Sequence, residues 1–494
     1  MLNVMLEAFP GSGRPGRPLL DVLIVCTNRH HYPAPVMPYG ACLVAEAAER
    51  EGHRVRLLDL MFQRDPFKAL KAALQDFSPD VVGLSVRNLD NNDMQAPVAF
   101  VAEVAEIGRA VSRYAAAPVV LGGPAVGVMP EPLLKETGAR FAVLGDGEEA
   151  FPALLQVLEY GGRMEEVPRL AWLENGGYRV SSHAPCELKD SGVLPQFSRW
   201  LALKTYRAAM AAIPLQSKRG CPFSCIYCTY GISEGKGYRL FPPREVAAAV
   251  RRLSTLGCRD LEFVDNVFNS PYDHALALCE NLAANGHRAR LTTMELNPAF
   301  LDVRLLKAME RAGFVGIGVT AESAADPVLS GLQKGYTAAE VESAAAAVRQ
   351  SSLPCFWLFL LGGPGESQET VAQTLRFARR TLRKGDVAFF NVGLRIYPGT
   401  ELERIARQEG VLRHSPEEML EPVFYFSPQL DRRWTLDQVR RAAAENLNLL
   451  HAASLSHPWL PAVNRLFSRL PVRPPLWRHT PTIRRVVRAL GRDI

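Results

Sequence analysis

The chain has no hydrophobic run long enough to cross a bilayer. Its longest apolar stretch, "CFWLFLL" at 355–361, is seven residues, whereas a membrane helix needs about 20. That stretch reads as one buried strand. The opening segment, "MLNVMLEAFPGSGRPGRP", holds no sustained apolar segment and does not read as a secretory leader. A disulfide framework is also lacking. Nine cysteines is an odd count, and six of them (Cys26, Cys42, Cys186, Cys258, Cys279, Cys355) are scattered. These features predict a cytoplasmic protein in a reducing compartment.

Excess charge is scarce over most of the chain. The net charge is +6, but residues 451–494 carry eight Arg and one Asp, so the preceding 450 residues sum to about −1. A body so balanced excludes a nucleic-acid binder. In the basic tail, Trp459, Leu460, Phe467, Leu470 and Trp477 are interleaved with Arg. That mixture allows peripheral contact with an anionic membrane or a lipid. The tail's prolines break any long amphipathic helix, which favours a segment packed on the body with a solvated basic face.

The 494 residues are 48% hydrophobic and 22% charged, so about three domains with large cores are expected. Over 19–160, apolar runs ("LLDVLIV", "RVRLLDL", "DVVGLSV", "APVVLGG", "RFAVLGD") alternate with helix-like segments. This α/β pattern predicts a Rossmann-like, doubly wound parallel sheet with its ligand loops beyond the strands' carboxyl ends. Residues 161–212 read as a linker with a hairpin at Asn175-Gly176-Gly177. From 213 to 415 six further strand–helix units predict a partial (β/α)6 barrel. Residues 416–494 read as a mostly helical C-terminal extension.

After the barrel's first strand comes "RGCPFSCIYC", with Cys221, Cys225 and Cys228 spaced Cys-x3-Cys-x2-Cys. A structural zinc site takes four ligands, and no second Cys or His pair follows at ligand spacing. The residues alone leave two readings: zinc completed from a distance, or an iron–sulfur cluster with one iron left open.

"CPFSCIYC" resembles the signature of the radical S-adenosylmethionine (SAM) enzymes, and the barrel expectation suits that family. The resemblance implies that the three cysteines hold a [4Fe–4S] cluster whose fourth iron binds SAM. It also implies SAM contacts from Tyr227, from Asp265 and Asn266 in "VDNVFNS", and from Glu322 and Ser323 in "TAESAAD". Gly363 in "GGPGES" and Arg395 and Tyr397 in "RIYPGTEL" complete the implied SAM set.

The first domain resembles the cobalamin-binding domain that precedes this core in one large subgroup, class B methyltransferase-like. The matching pieces are 37–59, "PDVVGLSVRN", "VVLGGPAV" and "LGDGEEAF". The resemblance implies cobalamin contacts from Tyr39, Gly40, Ser85, Arg87, Asn88, Gly122, Gly123, Gly145, Gly147 and Glu148. No Asp-x-His-x-x-Gly motif is present, so no histidine of this chain is expected as the cobalt's lower ligand; Arg87 is expected to face that side.

The implied reaction is methylation of an unactivated carbon of a lipid or natural-product precursor, through a 5′-deoxyadenosyl radical and methylcobalamin. A radical cyclase or rearrangement enzyme using cobalamin without net methylation, or a non-catalytic cobalamin- or redox-responsive binding protein, are the alternatives. An electron donor such as flavodoxin or ferredoxin is the implied partner. No catalytic or substrate-binding residue is assigned.

Overall fold

A computed structural model describes residues 20–31, 34–181, 194–452 and 475–489. The first sheet contains β1 (Asp21–Cys26), β2 (Arg54–Asp59), β3 (Val81–Ser85), β4 (Val119–Gly122) and β5 (Phe141–Val143), parallel throughout. The order β2-β1-β3-β4-β5 reverses direction next to β1, as in doubly wound folds. Period-two alternation supplies both faces. Val22, Ile24 and Cys26 pack with Ala41, Phe151 and Leu154. Leu23 and Val25 pack on the other face with Leu70, Val104 and Leu133.

The hairpin expected in the linker forms, as β6 (Leu170–Glu174) and β7 (Gly177–Val180), but it does not stand apart. It adds antiparallel to β5 and extends the first sheet to seven strands. Residues 170–180 therefore belong to the first sheet, not to a linker. The apolar side chains of Leu170, Ala171 and Trp172 are buried, and the edge of β5 offers them a surface.

The second sheet begins with β8 (Ile213–Leu215). A short ribbon follows, β9 (Lys218–Arg219) antiparallel to β10 (Arg239–Leu240). Then come β11 (Asp260–Phe263), β12 (Arg290–Leu296), β13 (Phe314–Glu322), β14 (Cys355–Leu361) and β15 (Val387–Val392). With β8 these five make the six expected strands, parallel and in sequence order. Helices between them cover the outer face; those starting after Asp302, Thr337 and Ser367 are capped by these side chains.

The C-terminal extension is mostly helical, as expected, with helices Arg432–Glu445 and Thr480–Ala489, and it adds two short strands. Beyond β15, β16 (Leu394–Arg395) pairs with β17 (Phe424–Tyr425). β18 (Leu449–His451) then joins β15 as a seventh parallel strand. The described part of the tail turns inward. Trp477 meets Phe356 edge-on at 5.5 Å. Arg484 is buried and donates to the carbonyls of Ala443, Asn446, Leu447 and Leu449 at 2.7–3.2 Å. Trp477 thus packs on the body, whereas Trp459, Leu460, Phe467 and Leu470, like Cys186, lie outside the described residues.

Replacing Arg484 by Met leaves these carbonyls without their charged donor. The expected loss is about 3 kcal/mol, read as a fall of about 5 °C in the melting temperature.

Candidate functional site

The carboxyl ends of β1, β3, β4 and β5 face the barrel's first strand and the residues flanking its three cysteines across one cleft. Its walls join Gly122, Gly145 and Gly147 to Gln216, Arg219, Tyr230 and Asn266. Of the ten residues expected to contact cobalamin, nine line this cleft: Tyr39, Gly40, Ser85, Arg87, Gly122, Gly123, Gly145, Gly147 and Glu148. A Cβ added at Gly40 or Gly122 would meet no atom within 4 Å, so these glycines widen the cleft. Gly123 has φ +102°, and a Cβ there would lie 2.5 Å from the Val86 carbonyl. No histidine is among the described lining residues.

Asn88 is the exception. It is absent from the lining, and its amide instead pairs with the Arg87 carbonyl (3.0 Å) and guanidinium (2.9 Å). In this structure its amide holds Arg87 in place. Burial lowers the Arg87 pKa, opposed by the charges of Tyr230 and Glu262.

The cysteine loop leaves β9 through Gly220, φ +81°, where a Cβ would stand 2.0 Å from the Gly237 carbonyl. Only glycine fits this crossing. Cys221 is buried, and Cys225 and Cys228 are half-buried. The Cys221 amide donates to Gly235 at 3.1 Å and the Cys228 amide to Cys225 at 3.2 Å. Between them Ile226 is tied to two barrel loops, through Leu332 (3.2 Å) and Leu402 (2.8 Å).

Burial raises the Cys221 thiol and pushes Cys228 up to about 12, the neighbouring thiolates adding to both. The donors therefore resist ionising together unless a cationic metal group takes the protons' place. Among the described residues, no three His, Cys, Asp or Glu side chains converge as ligands of a single ion. Three thiols on one loop fit a cluster that accepts one thiolate on each of three irons.

Tyr227 and Glu322 form one network with a residue the sequence reading missed. The Tyr227 hydroxyl donates to Glu322 Oε1 at 2.7 Å, and Lys334 Nζ reaches both oxygens at 3.0 Å. Burial opposes the Lys334 charge, yet Glu322 and Tyr227 raise its pKa well above the ordinary value. Glu322 holds φ +58°, a conformation costly for a non-glycine residue. Nothing in "LQKGYT" pointed to Lys334, since its partners lie 107 and 12 residues away.

The other residues expected to contact SAM have protein partners in this structure. Asp265 is fully engaged at the base of the cysteine loop. It accepts from the Ser217 amide (2.7 Å) and hydroxyl (2.6 Å) and from Lys218 Nζ (3.4 Å), so no free carboxylate faces an ammonium. Ser323 is buried and bonds Thr374 at 3.1 Å, bracing a turn. Arg395 is buried against Asp90 (2.7 Å) and the Met419 carbonyl (2.6 Å), an interdomain contact. Tyr397 lies under that guanidinium at 4.8 Å. Asn266 does reach the cleft and donates to Glu234 at 2.8 Å. The Gly363 carbonyl accepts from Glu366 at 3.1 Å, closing the turn after β14.

The family scan divides the chain in the same way. Residues 26–155 match the B12 binding domain, and residues 215–378 match the Radical SAM superfamily. The chain thus belongs to the radical SAM enzymes, in the branch with a B12-binding domain. Its cofactors are cobalamin, a [4Fe–4S] cluster and SAM. It is 27% identical over 384 residues to an uncharacterized methyltransferase of Pyrococcus horikoshii, covering 76% of this chain and 79% of that protein. It is 28% identical over 275 residues to the hopanoid C-3 methylase of Methylococcus capsulatus, covering 52% of this chain and 49% of the methylase. The fold matches the radical SAM methyltransferase TsrM from Kitasatospora setae, solved with tryptophan and a SAM analogue. The TM-score is 0.81 at 24% identity, over 95% of this chain and 99% of TsrM.

Glu366 yields a pH prediction. It is wholly buried, accepting from Thr370 Oγ1 (2.8 Å) and the Gly362 amide (3.2 Å), and burial raises its pKa to about 7. Its folded pKa lies above the unfolded one, so its contribution is full below about pH 4.5 and is lost as pH rises through about 7. Glu366→Gln should remove that dependence. The gap between melting temperatures at pH 5.5 and 8 should be smaller for the variant than for the parent, the remainder coming from groups such as Glu295, whose pKa burial raises to about 8.

Proposed function

We propose that this enzyme transfers a methyl group to an unactivated carbon of a small-molecule or lipid substrate. One observation carries the reading: residues on either side of the three cysteines (Arg219, Tyr230) and the glycine loops of the first domain line one cleft, which would bring both cofactors to neighbouring positions around one substrate. When bound, the cluster with SAM supplies a hydrogen-abstracting radical, and cobalamin supplies the methyl group.

The chain's own residues prepare that space. Gly40 and Gly122 leave room for a large flat ring, and Ser85 and Arg87 stand at the end of β3 beneath it. The buried Lys334 cation lies in the field of Cys225, where it offsets thiolate charge. The burial of Cys221 and partial burial of Cys225 and Cys228 limit water around a reactive radical. A hopanoid C-3 methylase and a tryptophan 2-C-methyltransferase among the chain's relatives both methylate carbon, which supports the reaction and leaves the substrate's skeleton open. A flavodoxin- or ferredoxin-class donor would reduce the cluster, and the reaction would take place in the cytoplasm.

Protein purified and reconstituted without oxygen should hold about four iron, four sulfide and one cobalamin per chain. Cys225→Ala should lose most of the iron. Incubation with candidate substrates, SAM and reductant should give a product heavier by one CH2. Zinc in place of iron, or radical turnover with no methylated product, would overturn the reading.

A further inference from the structure

The cysteine loop begins and ends at two arginines that face each other. β9 and β10 pair with Arg219 opposite Arg239, and directly opposite residues of an antiparallel pair project to the same side. Both reach one carboxylate of the other domain. Arg219 Nη1 donates to Asp146 Oδ1 at 3.1 Å, and Arg239 Nη1 donates to Asp146 Oδ2. Arg219 Nη2 also donates to Glu148 Oε1 at 2.6 Å. Burial works against the Arg219 charge, but Glu148 and Asp146 more than offset it.

The two carboxylates stand at the start of the helix Gly147–Tyr160 and line the cofactor cleft. The loop's middle also rests on the first domain. Arg169 donates to the Ser233 carbonyl at 3.4 Å, and a Cβ on Gly127 would touch Ser233 at 3.6 Å.

We propose that Asp146, with Glu148, is a latch that couples cobalamin binding to the ordering of the cysteine loop. Both are positioning residues, acting through Arg219 and Arg239. The inference rests on the cofactor assignment above. Asp146 bridges both ends of the loop, so a shift of either end removes one of the two cations that neutralise this buried carboxylate. Whichever cofactor orders this junction first lowers the ordering cost for the second, and the coupling is reciprocal.

The test measures cobalamin dissociation constants by absorbance on anaerobic full-length protein, with and without the reconstituted cluster. The parent should bind cobalamin about 5-fold or more tightly when the cluster is present. Arg239→Gln, at a residue outside the cleft lining and with Arg219 left paired, should still take up iron and cobalamin separately, with that ratio falling to about 1. If Arg239→Gln does not fold, Arg239→Met is read the same way. Equal affinities in the parent, or an unchanged ratio in the variant, would overturn the latch. Failure of the parent to bind cobalamin in either state would overturn the cofactor assignment and the latch with it.

Discussion

The first five strands of the first sheet and the seven strands of the second run parallel, so within each set they end at one edge and their loops gather there. The first sheet's carboxyl edge is turned toward the rim of the barrel that carries the cysteine loop, and the shared cleft follows from that single orientation. Two buried ion-pair sites maintain it: Arg219 with Asp146 and Glu148, and Arg395 with Asp90 at 2.7 Å. Buried pairs of this kind add little net stability over apolar packing, because desolvating the charges offsets their attraction. Their geometry, however, admits one docking of the domains, since any other strands a charge without its partner.

The cleft's chemistry is set by opposite means on its two walls. On the first domain, side chains are omitted: Gly40 and Gly122 face open space, and Gly123 lets the backbone pass close to Val86. On the barrel side, polar groups are crowded: Arg219, Glu234 and Asn266 line the cleft, and behind them Lys334, Glu322 and Tyr227 form a network beside the cysteines. A wall without side chains suits a rigid macrocycle. A wall of preorganised charge suits a cluster whose electron count changes, because its dipoles need not reorganise.

The alternation of apolar runs and helix-like segments was a reliable guide to both sheets, since a strand buried on both faces carries its signal locally. The hairpin at Asn175 was equally legible, but its destination was not. Leu170–Trp172 are apolar whether the hairpin stands alone or joins β5, and only the free edge of β5 decides. β18 escaped for a similar reason. "LLH" is three residues long, too short for any period, and becomes a strand only because β15 presents an unpaired edge.

The same division runs through the site. The chain's sequence by itself determined the three thiols, the glycines that open the cleft, and the order of the two domains, because spacing and residue type are local properties. Tertiary structure decided which polar side chains remain free for a ligand. Asp265, Ser323 and Arg395 looked like ligand contacts beside their motifs, yet each is consumed by a buried partner: Ser217, Thr374 and Asp90. Lys334 and Asp146 carried no signal and gained their roles from neighbours distant in the chain. A buried polar group must be paired, and the identity of its partner is fixed by how the chain folds back on itself.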